Sequence, residues 1–112
     1  MGASLGAIRV AVCANGRRAV HQLALAATGP DSRVVAKASG LGELDQALQS
    51  GGIEVVVVGD GIPPADTGSW IKSGWPGTKV VGLGDEVGGG VVDAWAADPG
   101  EVETAILTTF LY

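Results

Sequence analysis

The 112-residue chain has one cysteine, Cys13. An intrachain disulfide is therefore excluded, and the usage fits a reducing compartment. No apolar run approaches the ~20 residues of a membrane span. The opening "MGASLGAIRV" lacks a basic start and a long apolar run, so no secretory signal is visible. Gly6 stands where a myristoylation signal needs Ser or Thr. Basic residues are few: seven Lys and Arg against twelve Asp and Glu, for a net charge of −5. They are scattered along the sequence, with only Arg17 and Arg18 adjacent. Direct nucleic-acid binding needs a basic footprint, so it is disfavoured, as is an anionic membrane surface. Charged residues are only 17% and form no long run, which argues against disorder. These absences describe a soluble, cytoplasmic, bacterial domain.

What is present suits one domain with one core, at 46% apolar residues. Nineteen glycines point to many tight turns. "AIRVAVCA" (7–14) reads as a first strand. In 17–29, Val20, Leu23, Ala24 and Ala27 recur at helical spacing until Gly29 and Pro30 stop them. "SRVVAKAS" (32–39) is a second strand. "LGELDQALQSGG" (41–52) is a second helix with Leu41, Leu44 and Leu48 on one face. "IEVVVVG" (53–59) is apolar without alternation, the mark of a strand covered on both faces. Residues 63–77 leave room for a short third helix, broken at Gly74 and Pro76 and flanked by Trp70 and Trp75. "TKVVGLG" (78–84) and "VVDAWA" (91–96) are further strands. A last helix occupies 98–112, with Asp98 as cap, Pro99 in the first position and Glu101 completing a capping box. Val102, Ala105, Ile106 and Thr109 form its inner face.

The β-α-β-α-β order predicts a doubly wound, mostly parallel five-stranded sheet with right-handed crossovers. One link is irregular. Only "DEVGGG" (85–90) separates the fourth and fifth strands, too little for a helical crossover. Six residues reach about 20 Å and a five-residue strand spans about 17 Å, so a bare return is just feasible. Alternatively the glycines turn the chain and the last strand runs antiparallel. In either case the fourth helix is missing or reduced.

Several phrases resemble bacterial response-regulator receiver domains. "IRVAVCANGR" resembles their first strand and acidic turn, and "VVAKASGLGELDQAL" their common "VVGEASDGEEALEAL". "EVVVVGDGIPPAD" resembles "DVVLLDLRMPGMD", while "TKVVGLG" and "WAADPGEVETAI" resemble the fourth strand and final helix. The resemblance spans nearly the whole chain and implies a flavodoxin-like fold. A working receiver holds Mg²⁺ with an acidic pair and an acceptor aspartate, and binds the phosphoryl group with a hydroxyl and a lysine. Here the acidic pair falls on Ala14 and Asn15, the acceptor on Gly59, the hydroxyl on Gly84 and the lysine on Trp95. Only Pro63 and Asp66, after the acceptor, persist. Asp60 comes one residue late, and a one-residue slip in a strand turns a side chain to the other face. It reads as a solvated turn residue between glycines.

The resemblance therefore implies a pseudo-receiver: a non-catalytic, phosphorylation-independent interaction or localisation module, with no cofactor and no metal. Degenerate receivers of this kind precede ATPases of the pilus-assembly and septum-site type, or DNA-binding regulators. "VVVVGDGIPPAD" resembles the "VVLGPGLP"-like phrase of the pilus and septum group. The expectation is that 1–112 is one receiver-like domain excised from such a protein, with a protein partner or a second copy as its ligand.

Two other readings compete. "CANGRR" (13–18) resembles the cysteine loop of phosphotransferase-system IIB components, with Cys13 carrying phosphate. The loop lacks the Ser, Thr and Gly donors such loops use, and a small buried residue closing the strand explains Cys13 as well. A small ligand at the strand ends would meet Asn15, Gly59 and Asp60, since doubly wound sheets bind ligands outside the carboxyl ends of their strands. "GLGDEVGGG" opens no helix and is not a dinucleotide fingerprint. His21 reads as exposed on a helix, without metal partners or a catalytic triad. Trp70, Trp75 and Trp95 fit an interface or a patch over the core where a helix is missing, and both readings stand.

Overall fold

A computed structural model describes residues 7–59, 61–84 and 92–111. At its centre lie Val55, Val56, Val57 and Val58, all without solvent exposure. They form β3 (Val55–Val58). Around it run β1 (Ile8–Cys13), α1 (Arg17–Ala27), β2 (Ser32–Ala38), α2 (Leu41–Ser50), α3 (Pro64–Gly74), β4 (Lys79–Leu83), β5 (Ala94–Ala96) and α4 (Val102–Leu111). The sheet order is β2-β1-β3-β4-β5 and every pairing is parallel. This is the flavodoxin-like doubly wound arrangement, with its switch point between β1 and β3.

Successive side chains of a strand point to opposite faces, so the valines divide between two cores. Val55 and Val57 join Val10, Val12 and Val81 under α1 and α4. Val56 and Val58 join Ala11, Cys13 and Val80 under α2 and α3. The expected inner faces of α1 (Val20, Leu23, Ala24, Ala27) and of α4 (Val102, Ala105, Ile106, Thr109) are all buried. Each fully buried Val or Leu contributes about 1.5–3 kcal/mol.

Some expectations need correction. Leu41 is 45% exposed, whereas Leu44 and Leu48 are buried. It is the first residue of α2 and lies beyond the apolar layer those two fill. The third helix is not short: Pro64–Gly74 has eleven residues, as many as α1. Pro64 starts it, since proline fits the first helical turn. Trp70 therefore lies within the helix, and Trp75 caps it.

The open question of the last strand is resolved: β5 is parallel to β4. Asp93 fixes its entry. The Asp93 N–H donates to Val80 O and the Val80 N–H donates to Asp93 Oδ2, each at 2.8 Å. Lys72 of α3 donates to the same carboxylate oxygen at 2.8 Å. At the exit the Gly84 N–H donates to Ala96 O at 2.8 Å. No helix lies between β4 and β5 among the described residues. The link "DEVGGG" falls outside them. The other edge, β2, carries a bulge at Val35 between the pairs Val10–Val34 and Ala11–Ala36. With exposed Arg33 and Lys37 it guards the edge against stray strand pairing. No helix among the described residues is long and apolar enough to cross a membrane.

Candidate functional site at the strand ends

The carboxyl ends of β1 and β3 flank the switch point, and the chain closes that point on itself. Ala14 is 1% exposed and belongs to the core beneath α1. The Gly59 N–H donates to Cys13 O at 2.8 Å, so Gly59 continues the ladder and is buried. A Cβ at Gly59 would lie 2.8 Å from Leu23 Cδ2 and 3.7 Å from Ala14 Cβ. Leu23 of α1 thus occupies the room a side chain would need. Gly61 has φ +81°, and a Cβ there would lie 2.6 Å from Asn15 Cβ. Glycine is required there by backbone and by space alike. Asn15 is exposed and rests against Gly61, lidding the gap between the two loops.

The other positions picked out by the receiver resemblance do not join this group. Gly84 follows β4, and its N–H donates to Ala96 O. Trp95 packs half-buried against the opposite core, under α2 and α3, together with Trp70 and Trp75. The Trp70 and Trp75 rings meet edge to face, centroids 5.5 Å apart. The three tryptophans therefore share the role of covering the core on the α2–α3 face. Each also keeps some exposure. Asp66 is exposed in the first turn of α3, after Pro63 as its N-cap. Asp60 lies outside the described residues.

Cys13 has no solvent exposure, among Ala11, Ala38, Leu44 and Leu48. Burial, with a smaller contribution from the Glu43 charge, pushes its thiol up to about 11. Alternation along β1 points it toward α2, whereas α1 covers the other face. The arrangement that would activate a thiol, a helix start with added positive charge, is not directed at it.

One cluster was missed by reading the sequence. Arg17 and His21, one turn apart on α1, line a groove of about 330 Å³ with Lys37 at the end of β2 and Ser39 and Glu43 at the start of α2. The signal was available in the i, i+4 spacing of Arg17 and His21, but Lys37 enters only through the fold. Glu43 Oε1 accepts from the Ser39 N–H at 2.7 Å and from Ser39 Oγ at 2.9 Å. These bonds hold the Glu43 carboxyl below its ordinary range, with Arg17 adding to the effect. The folded state therefore gains from this link above the unfolded carboxyl pKa and loses it as pH falls through the folded one. Ser39→Ala keeps the backbone bond and removes the hydroxyl one, so it should raise the Glu43 pKa only in part in a side-chain NMR titration; an unmoved titration curve would show that the hydroxyl contributes nothing.

Among the described residues no group of three His, Cys, Asp or Glu side chains is placed to hold a metal ion. Searches against protein-family models, curated proteins and solved structures found no match.

Proposed function

We propose that this chain is a phosphorylation-independent pseudo-receiver: a regulatory protein–protein interaction or localisation module with no catalysis of its own. In this reading it belongs to a larger cytoplasmic protein whose further domain is an ATPase or a DNA-binding domain. The supporting observation is the contact of Leu23 with Gly59. The place where a receiver carries its acceptor has no side chain, and the core has grown into it. Ala14 and Asn15 supply no carboxylate, and a Mg²⁺ site needs several oxygen ligands.

The Cys13 phosphotransfer reading is weakened by the same structure, because a thiol shut in an apolar core is a poor nucleophile. Incubation with a small phosphodonor, followed by intact-mass measurement, separates the readings. The expected result is no stable mass gain. A gain abolished by Cys13→Ser would instead establish phosphotransfer. A gain abolished only by Asp60→Asn would restore receiver chemistry.

A further inference from the structure

The sequence divides its charge unevenly. Residues 1–40 hold five of the seven Lys and Arg and one of the twelve Asp and Glu, a net +4. Residues 41–112 hold the other two basic and eleven acidic side chains, a net −9. The strand order places only part of this in space: α2 packs on β2, so Glu43 and Asp45 lie at the same end as the basic residues, and the far end carries Asp93, Asp98, Glu101 and Glu103 with Lys79. β1, α1 and β2 form one end of the sheet, while β4, β5 and α4 form the other. The groove of Arg17, His21 and Lys37, which Glu43 also lines, lies at the β2 edge. At the β5 edge a second groove, of about 460 Å³, is lined by Glu101, Thr104 and Thr108 beside Asp93, Ala94 and Trp95.

The two grooves also open on one face of the sheet. Lys37 pairs with Val12 and lies on the same row as Val57, Val81 and Ala94. Val12, Val57 and Val81 all face the α1–α4 layer. Lys37 therefore faces that layer at one edge, as Ala94 does at the other. Both helices begin at the carboxyl end of the sheet, Arg17 opening α1 and Glu101 immediately preceding α4. Among the described residues neither Arg17 nor Lys37 is in a salt bridge.

We infer that the chain associates with further copies of itself head to tail, the α4–β5 edge of one molecule docking in the α1–β2 groove of the next. This deepens the interaction-module reading and rests on it, naming a second copy as the partner. The contact joins unlike surfaces and leaves both ends open, so it builds short chains rather than a closed dimer. Both grooves are small and their charges exposed, so the contact is weak and is screened by salt.

Sedimentation velocity on the full chain tests this. At low salt the weight-average sedimentation coefficient should rise with concentration without levelling at a dimer. At ~0.3 M salt the association should weaken about tenfold or more. Arg17→Glu with Lys37→Glu should abolish it, as should Glu101→Arg with Thr104→Arg. Mixing the two variants should restore it, because each reversed edge then meets a complementary one. A chain that stays monomeric at low salt overturns the proposal. So does a plateau at the dimer, or a mixture that fails to rescue. None of these bears on phosphorylation, so the module reading stands or falls separately on the phosphodonor result.

Discussion

Introducing an aspartate at position 59 should destabilise the protein. A Cβ there would meet Leu23 Cδ2 at 2.8 Å. Overpacking a close-packed core costs about 1–3 kcal/mol. Placing a carboxylate in a buried site without a cation adds to that cost. The expected loss for Gly59→Asp is about 3 kcal/mol or more, a fall in Tm of roughly 10 °C. Urea and thermal unfolding measure it. Leu23→Ala alone should cost about 2–4 kcal/mol, since Leu23 is a buried core residue. In the double variant the two penalties should fall short of their sum by about 1 kcal/mol or more, because the same methyl group causes the clash and fills the space. Strict additivity would show that Leu23 is not what excludes a side chain at 59.

Cys13 carries the second large effect, and it appears on the alkaline side. The thiol moves from its ordinary 9.0 to about 11 in the folded protein. Between those values the unfolded chain gives up its proton and the folded chain keeps it. The folded state then binds more protons, so stability falls as pH rises, at about 1.4 kcal/mol per pH unit. The contribution is fully present below the unfolded pKa and is lost through the folded one, roughly 2–3 kcal/mol in all. Cys13→Ala should flatten this limb relative to the parent chain in urea melts from about pH 8 to 11. Parallel curves for the two proteins would show that the buried thiol does not govern alkaline stability. The same shift lowers the native thiolate population about a hundredfold at neutral pH. Iodoacetamide should therefore label Cys13 far more slowly in the native protein than in urea.

Much of the frame was legible because it is written in short-range patterns. The 3.6-residue recurrence of Val20, Leu23, Ala24 and Ala27 placed the inner face of α1. The unbroken apolar run of 53–59 marked β3 as covered on both faces. Asp98 and Glu101 announced the last helix. There Asp98 Oδ1 accepts from the Gly100 N–H at 2.8 Å, and Glu101 Oε1 accepts from the Ala97 N–H at 3.4 Å. The capping residues are thus those expected, although a 3₁₀ turn at Pro99–Glu101 precedes α4 proper. The direction of β5 was not legible. Its link is long enough for either course, and the choice is made by Asp93, which ties to Val80 in β4 and Lys72 in α3.

The sequence by itself determined the alternation of strands and helices, the doubly covered centre and the absence of a carboxylate at Ala14, Asn15 and Gly59. These follow from residue type and local spacing, which need no partner distant in the chain. Only the tertiary structure decided what fills the space beside Gly59 and where the charges meet. Leu23 reaches Gly59 because α1 crosses back over the junction of β1 and β3. Arg17, His21 and Lys37 converge because β2 returns beside β1 as an edge strand. Such contacts depend on which elements become neighbours, and no periodicity within a single segment records that.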